Sequence, residues 1–385
     1  MKRKRILLIS HDSSFSGASL SFCFLAEELV QLNKDVDFDI YLLGEGPLVE
    51  KYRKNFQNVY FPYRLSENFI SRNIRKIARK VNLLESYKDK LIQKLADNNY
   101  DLIIGNTVGS LEWLTFLKIR NSRQKTVVVI HELDIIIKNF YPKPSKFRTE
   151  ILNCEQIIAV SNATRINLMD KYDVESEKIR VINPYLHNAK TFEEKILRTE
   201  SDTYRIGIIG YLSLIKGSDL VPKIAQILKI KFGVKNFSII FFGVENNEGQ
   251  NSLKNVILND ADKLGVAENI FFVEKEKTPI SFFENMDVFL MISREESFSL
   301  ATVESVLSET PVVLFDGIGG PDEILMKDEA YFSPFLDLDS IAQNLFEIYS
   351  DRSIAYIKIL RAKERILINQ NKCLREYNQI ILDYA

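Results

Sequence analysis

Short apolar runs alternate with longer amphipathic segments along most of this chain. The runs of the first half are continuously apolar and largely β-branched, as strands covered on both faces are: residues 5–10, 38–43, 58–61, 101–105, 126–130 and 156–161. Between them, apolar residues recur at spacings of three and four, which predicts helices. The clearest case is Ala18, Phe22, Leu25, Leu29 and Leu32. This alternation predicts a parallel sheet with helices on both faces.

The pattern restarts after a polar segment at residues 186–203, which contains no convincing strand and predicts a linker. Five further apolar runs follow: residues 204–210, 237–243, 269–273, 287–293 and 310–315. The fold class is therefore α/β, with two doubly wound domains and a ligand expected in the cleft between them. The predicted domains are residues 1–185 and 204–352. Residues 336–383 look helical throughout, and a final helix over 353–385 could pack back on the first domain.

Composition narrows the class of protein. The chain has 385 residues, 46% hydrophobic and 27% charged, which suits two soluble cores. A net charge of −1 gives no bias toward nucleic acid, and none is expected as a partner. The three cysteines and three histidines are scattered without ligand spacing, which favours a reducing compartment and disfavours a zinc site. No apolar run reaches the roughly 18–20 residues of a membrane span, so we expect a cytoplasmic protein.

Two strand–loop–helix junctions are candidate anion sites. In residues 10–22, Gly17 lies in a small-residue loop before a helix, where free N–H groups favour a phosphate. A plain tight turn explains one glycine equally well. In residues 210–220, Lys216 and Gly217 stand at a helix start. A lysine is unfavourable there unless an anion such as a diphosphate neutralises it, although a solvent-exposed lysine remains a fair alternative.

The third candidate is the segment at residues 294–313, REESFSLATVESVLSETPVV. A helix is predicted to begin near Ser299, which puts Glu296 in the preceding loop and Glu304 inside the helix. Backbone N–H groups of four residues would lie unpaired between the two carboxylates: Ser297, Phe298, Ser299 and Leu300. Carboxylates accept sugar hydroxyls, so the segment could bind hydroxyls at both ends and an anion between them. Acidic residues that merely favour a helix N-terminus are the alternative.

Taken together, these segments resemble the retaining glycosyltransferases of family four, which have the GT-B fold of two Rossmann-like domains. The likeness covers most of the chain and is strongest over residues 204–326. It rests first on a Glu–x7–Glu pair, Glu296 and Glu304, and on the segments PVV and GGPDE that follow it. Before this pair, Gly210 and the KG of Lys216 and Gly217 also match. In the first half the matching segments are GASLSFCFLAEEL, IHE and AVSNATRINL.

The resemblance implies a role for each matched residue. Glu304 would bind ribose hydroxyls, Lys216 the diphosphate, and Glu296 the hydroxyls of the donor sugar near the reacting carbon. His131 would face the sugar from the other domain, and Gly17 would let its loop approach a phosphate or the acceptor. From the residues alone, His131 is equally a core or helix-capping histidine.

Some positions depart from the family pattern. Ser297 and Ser299 stand where the family commonly has glycine, and Tyr211 stands where it often has arginine. The serines add side chains beside the sugar, and Tyr211 removes one phosphate-binding cation. Asn183 is followed by Pro184 where the family usually has Asn-Gly.

Two Asp-x-Asp pairs could suggest a metal-dependent glycosyltransferase of another fold. Asp37 and Asp39 open a strand, far from a strand's carboxyl end, and Asp337 precedes the last helices as an N-cap would. We therefore predict no metal and no cofactor. The leaving diphosphate would then depend on Lys216 and helix N-termini.

Residues 67–96 are the most basic part of the chain, with apolar residues at helical spacing. This segment could be an interfacial helix attracted to anionic lipid, or a domain helix with a solvated basic face. Family acceptors are often lipid-linked, which favours peripheral contact with the inner membrane face.

The residues and the resemblance together predict a retaining glycosyltransferase that uses a UDP- or GDP-sugar. The resemblance implies a saccharide acceptor that is lipid-linked, in the synthesis of capsule, O-antigen or exopolysaccharide. A catalytically inactive GT-B partner of an active transferase is the main alternative, and a sugar-nucleotide epimerase of the same fold is a third. Glu295 and Glu309 are expected to be solvated or structural.

Overall fold

A computed structural model describes residues 3–62, 83–186, 203–274 and 282–384. The chain divides into two compact units. The first comprises Met1–His187 together with Asn371–Ala385, and the second comprises Asn188–Gln370. Each unit is built around its own parallel sheet, as the alternating pattern predicts.

The sheet of the first unit has the strand order β3-β2-β1-β4-β5-β6-β7. Its strands are β1 Lys4–Ser10, β2 Val36–Leu42, β3 Asn58–Tyr60, β4 Leu102–Asn106, β5 Lys125–Ile130, β6 Gln156–Ala159 and β7 Ile179–Val181. Its helices are α1 Gly17–Leu32, α2 Val49–Asn55, α3 Leu83–Asp97, α4 Leu111–Arg120, α5 Asp134–Phe140, α6 Pro144–Leu152 and α7 Asn162–Tyr172. Because β1, β4 and β5 are neighbours, the loops that follow them share one edge of the sheet.

The sheet of the second unit has the order β10-β9-β8-β11-β12-β13. Its strands are β8 Tyr204–Ile209, β9 Phe237–Val244, β10 Ile270–Glu274, β11 Val288–Met291, β12 Val312–Phe315 and β13 Tyr331–Ser333. The helices that follow are α8 Val221–Ile230, α9 Glu248–Lys263, α10 Leu300–Leu307, α11 Pro321–Ile324, α12 Leu338–Ser350 and α13 Arg352–Tyr384. Here β8 and β11 are adjacent, so the loops after them meet.

The end of α13 belongs to the first unit. There the Cys373 thiol donates to the carbonyl of Asn183 at 2.9 Å, and Asn33 bonds to Asn378 at 2.9 Å. Together with other contacts, these bonds tie the carboxyl terminus to the end of α1 and to the segment after β7.

The doubly wound fold is confirmed, and the differences are local. The strands β7 and β13 were not predicted, although β3, which is equally short, was; Arg180 interrupts the apolar residues of β7. Leu32 was expected on the buried face of α1 but is 56% exposed. Residues 336–383, expected to be helical throughout, form two helices, and the second begins within a residue of the predicted final helix at 353. They are separated at Asp351, whose side chain accepts the N–H of Ser353 at 2.9 Å. The linker from 187 to 202 and residues 67–82 of the basic segment lie outside the described residues.

None of the described helices combines the length and apolar composition that a membrane crossing requires.

Candidate active site

The lysine loop after β8 is shaped by two glycines. Gly210 has a φ of +130° and Gly217 a φ of +70°, both in the region that L side chains rarely adopt. A Cβ on Gly217 would lie 2.0 Å from the carbonyl oxygen of Ile292, so only glycine fits at this crossing. The hydroxyl of Ser213 accepts the N–H of Lys216 at 3.1 Å. The loop therefore holds the Lys216 backbone in one place.

Lys216 and Glu296, predicted from separate motifs, form an ion pair. Lys216 Nζ lies 2.5 Å from Glu296 Oε2, and Ser293 Oγ donates to the same oxygen at 3.2 Å. The side chains of Lys216 and Glu296 are 26% and 13% exposed. Burial alone would lower the pKa of Lys216, but the neighbouring Glu296 carboxylate outweighs it and the pKa is raised. The lysine is therefore a charged group at neutral pH.

The Gly-Gly pair after β12 holds the backbone of Glu296. The Glu296 N–H donates to Ile318 O at 2.9 Å, and Gly320 N–H donates to Glu296 O at 2.8 Å. A Cβ on Gly320 would lie 2.2 Å from the carbonyl oxygen of Ser297. Glycine at position 320 therefore lets the two loops touch. The contact fixes the backbone of Glu296, from which its carboxylate extends.

The helix α10 begins where the sequence predicts, with Ser299 as its N-cap and Leu300 as its first residue. Ser299 has a φ of +75°, which explains the family preference for glycine at this position. Its hydroxyl accepts the Thr302 N–H at 3.2 Å, and its carbonyl accepts the Val303 N–H at 3.4 Å. The N–H groups of Leu300 and Ala301 precede these bonded groups, at the end of the helix that attracts anions.

The other predicted residues of this segment differ in exposure. Phe298 is buried, at 8% exposure, so its ring anchors the loop in the core. Glu304 lies in the second turn of α10 and is 7% exposed. Glu309 is not solvated: at 4% exposure it accepts from Tyr356 Oη at 3.0 Å and Lys363 Nζ at 2.6 Å. Glu309 is therefore structural.

Sequence reasoning missed a clamp between Arg294 and Asp219. The guanidinium of Arg294 makes two 2.8 Å bonds to the Asp219 carboxylate, and the Arg294 N–H donates to Ile215 O at 2.7 Å. The hydrogen bond to Asp219 raises the pKa of Arg294. Arg294 adjoins the lysine loop and holds it through these bonds. Its charge is paired with Asp219, so it does not replace the arginine that the family often has at the position of Tyr211. Tyr211 itself is 47% exposed.

In the first unit, Gly17 is the exposed first residue of α1, after an N-cap Ser16 whose side chain makes no capping bond. His131 directly follows β5. Burial, with a smaller contribution from His11, lowers the pKa of His131 to about 3. The imidazole is therefore neutral at physiological pH and can offer one donor and one acceptor.

His11 and Glu132 were not singled out from the sequence. His11 Nε2 lies 3.4 Å from Ser19 Oγ and 3.6 Å from Asp12 Oδ2. Burial lowers the pKa of His11, against the opposing charge of Asp12. Burial raises the pKa of Glu132 to about 7, although backbone N–H groups oppose the shift. The sequence signal for His11 was its position directly after β1, and that for Glu132 was its place next to His131.

The Asp-x-Asp pairs have structural partners. The buried Asp39 accepts from Tyr100 Oη at 2.7 Å and Asn58 Nδ2 at 2.8 Å, and it pairs with Arg5. The predicted N-cap is confirmed, since Asp337 accepts the Ser340 N–H at 3.0 Å. Within the described ranges, no group of three or more His, Cys, Asp or Glu side chains is placed to hold a metal ion.

Comparison with known proteins matches the two units to two family profiles. Residues 15–185 match "Glycosyltransferase Family 4", and residues 189–365 match "Glycosyl transferases group 1". Poly(ribitol-phosphate) alpha-N-acetylglucosaminyltransferase of Staphylococcus aureus is 22% identical over 79% of this chain and 58% of its own length. The capsular polysaccharide biosynthesis glycosyltransferase CapM of S. aureus is 23% identical over 51% of this chain and 53% of its own length. The chain thus spans little more than half the length of these two relatives.

Among solved structures, Anabaena Alr3699/HepE, in complex with UDP and glucose, superposes with a TM-score of 0.75. The match is 16% identical and covers 98% of each chain, so it shows the fold. The two family profiles together leave only short segments of the chain unmatched. Each profile matches within one unit of the fold. The chain belongs to the glycosyltransferases of the GT-B fold.

Proposed function

We propose that this glycosyltransferase is a retaining enzyme that moves a sugar from a nucleotide diphosphate sugar, UDP- or GDP-linked, to a saccharide acceptor. The observation that carries the proposal is the Lys216–Glu296 pair beside the start of α10. The cation suits the diphosphate of a donor, and the carboxylate suits the hydroxyls of its sugar. The helix N-terminus suits the negative charge that develops on the leaving phosphate.

Each residue has a distinct task in this proposal. Lys216 and the N–H groups of Leu300 and Ala301 neutralise the diphosphate as it leaves. Glu296 accepts hydroxyls of the transferred sugar, and Glu304 accepts those of the ribose. Ser297 and Ser299 lie beside the sugar, and Gly210 lets the lysine loop take a φ of +130°, which an L side chain rarely adopts.

In the first unit, Gly17 would let its loop approach a phosphate or the acceptor. The neutral imidazole of His131 would hydrogen-bond the reacting sugar. Because the pKa of His131 is depressed to about 3, it would act there without adding charge.

The chemical step transfers the sugar with retention. The bond between the anomeric carbon and the phosphate oxygen breaks, and the acceptor oxygen bonds to that carbon on the same face. The acceptor proton passes to the departing phosphate, which releases a nucleoside diphosphate. No protein nucleophile is required in this scheme.

The proposed acceptor is a lipid-linked saccharide in cell-surface polysaccharide synthesis. The two S. aureus relatives, a poly(ribitol-phosphate) alpha-N-acetylglucosaminyltransferase and a capsular polysaccharide biosynthesis glycosyltransferase, support a role in cell-surface polymer synthesis. Peripheral contact with an anionic membrane through residues 67–96 stays a prediction, which co-sedimentation with anionic and neutral vesicles would test.

The decisive experiment measures release of nucleoside diphosphate from a panel of UDP- and GDP-sugars, with and without saccharide acceptors. Lys216→Ala and Glu296→Ala should each lower release by at least about a hundredfold, and NMR of the product should show the donor's anomeric configuration. Equal release by the parent protein and both variants would refute the catalytic assignment. No release by the parent would favour the inactive partner protein.

A further inference from the structure

Glu132 links two loops at the carboxyl edge of the first unit's sheet. Its Oε2 accepts the backbone N–H of His131 at 3.0 Å and the backbone N–H of Val108 at 3.2 Å. His131 follows β5, and Val108 lies in the loop after β4. One side chain therefore closes the gap between the ends of two neighbouring strands.

The loop after β4 has an unusual conformation that needs such support. Thr107 has a φ of +70°, a conformation that is unfavourable for a residue other than glycine and persists only when its surroundings hold it. Its hydroxyl accepts the N–H of Gly109 at 3.2 Å, and Ser110 Oγ donates to its carbonyl at 2.8 Å. Glu132 adds the restraint on Val108 from the neighbouring strand.

The same loop reaches His11. A Cβ on Gly109 would lie 3.4 Å from the Cβ of His11, so the loop after β4 packs against the loop after β1. Glu132 thus belongs to a set of contacts that joins the loops after β1, β4 and β5.

We infer that Glu132 is a positioning residue, which fixes the backbone of His131 against the Val108 loop and so aims the His131 imidazole. The inference rests on the proposed function, in which that imidazole meets the reacting sugar. Reach, not charge, is what the geometry requires, because both bonds come from neutral N–H groups to one oxygen.

Three substitutions separate reach from charge. Glu132→Gln keeps the length and one carbonyl oxygen, and it should keep kcat within about threefold of the parent. Glu132→Asp keeps the charge but shortens the side chain, and Glu132→Ala removes it. Both should lower kcat by about tenfold to a hundredfold while leaving the Kd for nucleoside diphosphate unchanged, since a displacement of about 1 Å can cost that much.

A double-mutant cycle with His131→Ala tests whether Glu132 acts through His131. Adding Glu132→Asp to His131→Ala should change kcat by less than about twofold. The same loss in both backgrounds would overturn the inference, as would a Gln variant as impaired as the Asp variant.

An NMR measurement keeps the inference testable whatever the turnover. The imidazole resonances of His131, assigned by loss in His131→Ala, should move in Glu132→Asp and stay within linewidth in Glu132→Gln. Unmoved resonances in the Asp variant would overturn the inference. Absence of turnover by the parent protein would instead contradict the proposed function, and the resonances would still decide on the positioning role.

Discussion

The contact between Lys216 and Glu296 leads to a prediction with an unexpected sign. In the described structure the ammonium is paired with the carboxylate at 2.5 Å, and both side chains are mostly buried. A diphosphate that binds Lys216 must compete with Glu296 for the same charge. Replacing Glu296 with glutamine should therefore tighten the binding of a free nucleoside diphosphate, although it removes a residue proposed for transfer.

The size of this effect follows from the pair. A hydrogen bond to a charged group contributes about 1.5–3 kcal/mol net, and part of that is regained when water or the glutamine oxygen solvates the lysine. A net gain of about 1–2 kcal/mol corresponds to a Kd roughly fivefold to thirtyfold lower. Turnover should fall in the same variant, because the amide is a weaker acceptor for the hydroxyls of the sugar.

Isothermal titration calorimetry with UDP and with GDP, at fixed salt, measures the change. Glu295→Gln is the matched control, since it removes the adjacent negative charge and leaves the Lys216–Glu296 pair in place. It should change Kd by less than about threefold, because the pair that competes with the diphosphate is intact. In a Lys216→Met background, Glu296→Gln should lose its benefit. A Kd that is unchanged or weaker in Glu296→Gln would refute the competition.

Three other predictions concern stability, each measured by urea unfolding. Ser299→Ala should lower the free energy of unfolding by about 1 kcal/mol, because it loses the helix cap and keeps the positive φ. Ser299→Gly should be more stable than Ser299→Ala, and either within about 1 kcal/mol of the parent or more stable than it. An alanine variant more stable than the glycine variant would contradict the strain. The pKa of Glu132 is raised to about 7, so the stability that its carboxyl contributes is present below the unfolded pKa and is lost as pH rises through 7. Glu132→Gln should lack this loss and gain up to about 3 kcal/mol on the parent between pH 5 and pH 8, and a constant difference would contradict the shift. Lys363→Met should cost about 3 kcal/mol, because it leaves the buried Glu309 carboxylate without its cation, and a cost under about 1 kcal/mol would contradict that reasoning.

Much of the fold was readable because covered parallel strands are continuously apolar. The predicted strands agree with the structure to within a few residues, and the start of α10 at Ser299 was correctly placed. The three-residue strands β7 and β13 were missed although the equally short β3 was predicted, and Arg180 breaks the apolar run of β7. Leu32 was misplaced because periodicity does not tell where the last turn of α1 leaves the core.

The candidate site was readable only in part. The sequence pointed to Lys216 and Glu296 as separate residues, but their pairing joins positions 80 apart in the chain and depends on how the loops after β8 and β11 meet. The Arg294–Asp219 clamp has the same origin. Glu132 was quoted within the IHE segment but given no role, and His11 belongs to no matched motif, because the environment of both arises from the parallel order of β1, β4 and β5.

The serine departures bear on whether the site can work. A glycine at position 299 would satisfy the positive φ without strain, but it would leave the Thr302 N–H without the hydroxyl that now accepts it. Serine therefore exchanges backbone strain for a helix cap and still begins α10 at Leu300. The N–H groups proposed for the diphosphate keep their place at the end of that helix. Ser299 is thus compatible with an active enzyme, and its departure from glycine does not by itself favour an inactive partner protein.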